Sequence, residues 1–230
     1  MRTRFLALTA LLLASAAAAC SDDNSTNVAA EARLRVVHAS PDAPAVDVLV
    51  DGAVVLTAVP FEAASAYLAV PAGARNIQVR ASGTTTVVID ATPTLAAGTD
   101  YTVVAVGPVA SIEPLLLTDD NTPPAAGNAK VRLVHASPTA GLVDIYITAP
   151  GADIAALAPA LANVDFKAAS PYVAAPAGDY QVRVTAAGTK TVALDTGTLS
   201  LGAGQIRTGI ALDAPGGGLP VGAIVLADLN

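Results

Sequence analysis

Val36-Val37-His38-Ala39-Ser40-Pro41 occurs a second time as Leu133-Val134-His135-Ala136-Ser137-Pro138, with the histidines ninety-seven residues apart. In a chain of 230 residues that repeat marks two related modules of about a hundred residues, each long enough to bury a core. Leu34, Val36 and His38 alternate with Arg33, Arg35 and Val37, the period-two pattern of a strand, and Pro41 and Pro44 stop it. Val46, Val48 and Val50 alternate with Asp47, Leu49 and Asp51, and Asp51-Gly52 reads as a hairpin turn into Ala53-Val54-Val55-Leu56. Further strands are expected over 66–70, 75–81, 84–89, 101–106 and 115–118. Short strands with turn signals at short intervals are the pattern of a β-sandwich.

The second module repeats the scheme. Val143-Asp144-Ile145 answers Val46-Asp47-Val48 at the same spacing, while Phe166 to Tyr172 answers Phe61 to Tyr67 at a spacing eight residues larger. Asp153 to Ala160 is therefore an insertion, expected at a hairpin tip. Ile154 to Ala162 comes nearest to a helical pattern, and Pro159 interrupts it. The glycine-rich stretch Asp213 to Pro220 is expected as a flexible turn before the last strand.

Composition agrees with an all-β chain: 53% apolar residues, 13% charged, 18 Gly, 16 Pro and no Trp. The formal net charge is −7 and no Lys/Arg run is present, so nucleic acid is not an expected partner. Acidity of this size serves solubility.

The first residues carry an export signal. Arg2 and Arg4 precede the apolar run Phe5 to Leu13 and the small residues Ala14 to Ala19, the three parts of a secretory signal peptide. The apolar stretch falls short of the roughly 20 residues of a spanning helix. The only cysteine, Cys20, stands where the signal ends, so no intramolecular disulfide is available. Ala17-Ala18-Ala19-Cys20 resembles the bacterial lipobox, which implies an acylated Cys20 as the new N-terminus. Polar Ser21 to Asn27 follows as a tether. Two or three acyl chains anchor stably where one does not. Ser21 rather than Asp after the cysteine resembles the outer-membrane sorting rule.

Several residues are candidates for chemistry. His38 and His135 are the only histidines, and a buried imidazole needs partners for both nitrogens. The Ser-Pro turns carrying Ser40, Pro41 and Asp42, and Ser137 and Pro138, supply such groups and form a possible ligand loop. A His38, Ser40 and Asp47 triad lacks a nucleophile elbow, and one histidine per module falls short of a zinc site. Asp47 and Asp144 are expected to pair with Arg35/Arg132 or Arg80/Arg183; six to eight oxygens for calcium are not in view. Asp119-Asp120-Asn121 reads as solvated linker. Tyr67 and Tyr172 read as sandwich packing rather than a sugar-stacking platform.

His38 to Pro44, Val46 to Val48, Phe61 to Tyr67 and Ala72-Gly73 resemble a bacterial family of exported domains, the domain of unknown function 4397. The second module keeps His135 to Pro138 but has Thr139-Ala140-Gly141 where Asp-Ala-Pro is expected. The resemblance implies a β-sandwich at the cell envelope and brings no catalytic residues. The expected organisation is a signal peptide (1–19), a tether (20–31), a first module (32–118), a linker (119–129) and a second module (130–230). The fold class is all-β: two tandem immunoglobulin-like or transthyretin-like β-sandwich modules behind a lipoprotein signal peptide. The expected role is a non-enzymatic, lipid-anchored envelope protein for adhesion, scaffolding or protein contact. The alternative is a module binding an envelope glycan or small molecule. No metal or cofactor is expected, and the expected location is the outer membrane or its periplasmic face.

Overall fold

In β1 (Glu31–Ala39) Leu34, Val36 and His38 project to one side and Arg35, Val37 and Ala39 to the other, and all six are buried. A strand buried on both faces needs a packed layer on each, and that requirement organises the chain. The computed structural model describes residues 30–228; the signal peptide, Cys20 and most of the tether lie outside the described residues.

The first layer comes from the same module. β1 pairs in parallel with β9 (Asp100–Val106) and antiparallel with β4 (Leu68–Pro71). β10 (Glu113–Asp119) completes a sheet of order β10-β9-β1-β4. The facing sheet has order β3-β2-β6-β7. Its strands are β2 (Val46–Val50), β3 (Ala53–Val59), β6 (Ile77–Ala81) and β7 (Val87–Ala91). Asp51 (φ 50°) and Gly52 (φ 81°) form the β2–β3 turn, as Asp-Gly predicts. β5 (Gly73–Ala74) pairs with β8 (Thr94–Leu95) and brings Leu95 into the core. In an immunoglobulin constant-type sandwich the first two strands share a sheet. Here β1 and β2 lie in opposite sheets of an all-β sandwich.

The second half repeats this order. β14 (Val173–Pro176), β11 (Asn128–His135), β17 (Ile206–Leu212) and β18 (Gly222–Ala227) form one sheet in that sequence. β13 (Leu161–Val164), β12 (Val143–Thr148), β15 (Gly178–Ala186) and β16 (Val192–Leu201) form the other. The eight-residue insertion sits between antiparallel β12 and β13, at the hairpin tip where it was expected. Among the described residues the only helical turn is the 3-10 turn Val109–Ser111.

The layer on the other face of β1 is the other module. Val37, Ala39, Val104, Val106 and Leu117 form one cluster with Val134, Ala136, Ile210, Leu212 and Leu226. The β1 and β11 sheets therefore pack face to face, giving four stacked sheets. This corrects the expected linker start: Asp119 belongs to β10 and is buried. It does so because its strand continues into the interface rather than ending in solvent. The link that follows is also held, by Lys130 Nζ on Asp120 (2.8 Å) and on the Thr122 carbonyl (2.7 Å). Together with burial of an apolar face on each module, this predicts one cooperative unfolding transition for residues 30–228. Calorimetric and van't Hoff enthalpies should agree; two separated transitions would contradict the shared core.

Candidate functional site

The repeated motif is consumed by the fold. His38 is fully buried. Its Nδ1 accepts a long bond from the Ser40 amide (3.3 Å), so Nε2 carries the proton and donates to the Pro44 carbonyl (3.1 Å). His135 repeats this with the Ser137 amide (3.4 Å) and the Gly141 carbonyl (2.8 Å). Each histidine thus ties the end of a motif strand to the far side of the loop that follows it. Burial lowers the His38 pKa, while its bond to Pro44 works the other way, and the ring is held neutral. The second motif segment patches the β1 edge. The Glu62 amide donates to the His38 carbonyl (2.9 Å), the His38 amide to Ala63 (3.0 Å) and the Val36 amide to Ser65 Oγ (3.0 Å). Lys167, Ala168 and Ser170 make the same three bonds to His135 and Leu133.

The departure in the second loop has a structural counterpart. Asp42 accepts from the Val109 amide (2.7 Å), tying the motif loop to the loop after β9. In the second module the acid stands on the opposite side. Thr139 Oγ1 donates to Asp213 Oδ2 (2.6 Å) and Ser137 Oγ to Asp213 Oδ1. By strand register Asp213 takes the place of Gly107, and Ser40 Oγ in the first module has no partner. Pro41 is buried and its carbonyl accepts from Gly216 (2.8 Å) in the turn before β18, whereas Pro138 is half-buried.

Asp47 and Asp144 do not pair with arginine, which corrects that expectation. Asp47 accepts from the Ala58 amide (2.8 Å), Ser82 Oγ (2.8 Å) and the Gly83 amide (3.2 Å). These bonds hold its pKa below the usual carboxylate range, the Ala58 bond foremost. Asp144 accepts from the Asn163 and Gly188 amides, both at 2.8 Å. The reason is a bulge: the β2–β3 and β12–β13 registers slip beside each aspartate. Ala58 (φ 53°) and Asn163 (φ 52°) adopt positive φ there. A bulge frees an amide, and the carboxylate satisfies it.

Arg35 and Arg132 go instead to the interface, while Arg80 donates to Gln78 and Arg183 to Thr148. Arg35 Nη2 lies 2.6 Å from Asp228 Oδ1, an ion pair without hydrogen-bond alignment. Arg132 Nη2 donates to Asp119 Oδ1 at 2.6 Å. Each module's arginine thus pairs with the other module's aspartate. Thr102 and Tyr67 donate to Asp119 (2.5 and 2.6 Å), Thr208 and Tyr172 to Asp228 (both 2.8 Å). The guanidiniums of Arg35 and Arg132 lie 4.7 and 4.6 Å from the ring centres of Tyr67 and Tyr172. Burial pushes both phenols up and keeps them neutral donors. Both tyrosines are therefore packing residues of a charged cluster, not sugar platforms. Asp119, expected as solvated linker, is one of its two anions. Among the described residues no group of three His, Cys, Asp or Glu is placed to hold a metal.

The second sandwich also contains a hollow of about 250 Å³ between its sheets. Val131, Leu133, Gly209 and Val225 wall it on one side, Val182 and Leu199 on the other. Sequence periodicity contained no sign of it, because Val131, Leu133, Val182 and Leu199 read as ordinary core positions.

Two predictions follow from the buried groups. Ser137→Ala should lower stability by about 1–3 kcal/mol in urea titrations, since buried Asp213 loses a donor. Ser40→Ala removes a hydroxyl without a partner and should be neutral or stabilising. For His38 the folded pKa is depressed, so the unfolded state binds more protons below about pH 6.5. Stability should therefore fall as the pH drops from 6.5, by at most about 1.4 kcal/mol per pH unit for this group. That slope should flatten in His38→Gln.

Among solved structures the chain is similar to CBMbc (family CBM26) of Amy13K from Eubacterium rectale, in complex with maltoheptaose. The identity is 10% over 86% of this chain and 97% of that one, with a TM-score of 0.26. It is also similar to a leucine-rich repeat protein from Bacteroides thetaiotaomicron, at 12% identity over 78% of this chain and 25% of that one, with a TM-score of 0.20. Likeness at this level carries no argument about ligand or role. No curated protein matches the sequence. The junction between the two family segments falls within β12, whereas the sheet pairing changes over between β10 and β11. Residues 17–146 and 148–229 match the family described as Domain of unknown function (DUF4397), and the chain belongs to that family.

Proposed function

We propose that this protein is a non-enzymatic, lipid-anchored component of the cell envelope that presents a locked pair of sandwiches for non-covalent contact with another envelope protein. The observation that carries this reading is the fate of the repeated motif. His38, Ser40, Asp42 and Asp47, and His135, Ser137 and Asp144, sit at strand ends, loops and bulges, where every side chain but that of Ser40 bonds to a neighbouring group. They do not converge on a common substrate position. The signal sequence and Cys20 support export and acylation, with the outer membrane or its periplasmic face as the location. Two stacked sandwiches suit a spacer that holds a surface at fixed geometry, because the paired charges fix how the modules meet. A second reading, a small-molecule or glycan binding module, is favoured by the hollow in the second sandwich.

Cys20→Ser tests the anchoring. The native chain should fractionate with membranes and carry acyl label, and the variant should lose the label and appear in the soluble exported fraction. Unchanged fractionation and labelling would defeat it.

A further inference from the structure

The two sandwiches differ in the residues that face the hollow of the second. By strand register Gly209 stands where the first module has Val103, Ala175 where it has Val70, and Arg207 where it has Tyr101. Val103, Val70 and Tyr101 are buried core residues of the first sandwich. The second module has lost side-chain carbon at two of these places and gained a cation at the third. A related hollow in the first sandwich, of about 290 Å³, is walled by seven residues, none of them charged. The second is walled by sixteen, which is enough to surround a guest rather than abut it.

The chemistry of the lining selects the guest. Ser170, Tyr180 and Arg207 are the only residues around the hollow with polar side-chain atoms. Ser170 Oγ is engaged by the Leu133 amide (2.9 Å) and the Pro171 carbonyl (2.8 Å), and Tyr180 donates to the Pro176 carbonyl (2.7 Å). Half-buried Arg207 donates one bond, to the Ile206 carbonyl (3.0 Å). Its guanidinium has no carboxylate partner among the described residues. Around the hollow Val173, Val225 and Ile147 are 56%, 48% and 42% exposed, an apolar rim of the kind that marks binding surfaces. A cavity of about 150 Å³ lined by aliphatic residues admits benzene, so this larger and open one takes a longer hydrocarbon. A guanidinium with free donors takes a carboxylate.

We propose that the second sandwich binds a free alkyl carboxylate, with the hydrocarbon in the hollow between the sheets and the carboxylate on Arg207. This goes beyond the contact role and does not need Cys20 to be acylated, so the two stand or fall separately. Calorimetric titration of the full mature chain with octanoate, and with octanol as the uncharged control, tests it. Octanoate should bind with 1:1 stoichiometry and at least tenfold more tightly than octanol. Arg207→Gln should cost octanoate about tenfold and leave octanol unchanged. Gly209→Val, which restores the first module's residue and adds a side chain at the hollow wall, its Cβ 3.1 Å from the flexible end of Leu133, should weaken both at least tenfold. Absent octanoate binding, equal affinity for octanol in the native chain, or octanoate binding unaltered by Arg207→Gln would each overturn the proposal.

Discussion

Two ion pairs exchanged across one interface, Arg35 with Asp228 and Arg132 with Asp119, constrain everything around them. The side chains of these four residues are almost wholly out of water. A buried charge left alone is costly, and a buried pair contributes little net stability over an apolar one. Attraction therefore comes from the apolar half of the interface, around Val37, Val104, Val134 and Ile210, and the charged half sets register. Sliding one sheet against the other by a residue would strand two cations and two anions together. The modules consequently meet in one way.

That constraint has the form of an isologous contact inside a single chain: arginine of one half on aspartate of the other, and the reverse. It explains why the duplicated positions have diverged unevenly. Arg35/Arg132, Thr102/Thr208, Tyr67/Tyr172 and Asp119/Asp228 keep the same roles. Away from the interface the copies are free to trade partners. The acid linking the motif loop to the next turn is Asp42 in one module and Asp213 in the other. What is preserved there is the contact and not the residue.

Much of this architecture was legible in the sequence and some was not, for definable reasons. Alternation in β1 and β2, the Asp51-Gly52 turn and the insertion before β13 are local signals, and the structure realises each. The interface was not read, although a signal existed: Val37, Ala39, Val134 and Ala136 are apolar at positions opposite the sandwich core. Arg35 and Arg132 share that face, were expected to pair with Asp47 and Asp144, and are buried because guanidiniums paired with other carboxylates can be. Asp119 was obscured by its neighbours Asp120 and Asn121, because its partner arrives from a different sheet. Asp47 and Asp144 were misassigned because a bulge, which creates an unpaired amide, leaves no mark in a period-two pattern.

Divergence between sister modules also locates where a fold has been relieved of packing duty. In the first sandwich Tyr101, Val103 and Val70 are buried core residues, with the Tyr101 hydroxyl accepting from the Ala96 amide at 3.1 Å. The second sandwich has Gly209 and Ala175 in place of the two valines and the cation of Arg207 in place of the aromatic ring, while Arg132, Thr208 and Tyr172 keep their places at the module interface. Departure from dense packing is expected where function competes with stability. In this chain the two copies depart from each other not in the repeated histidine motif, which both keep for structure, but on the inner face, where the second copy has Arg207, Gly209 and Ala175.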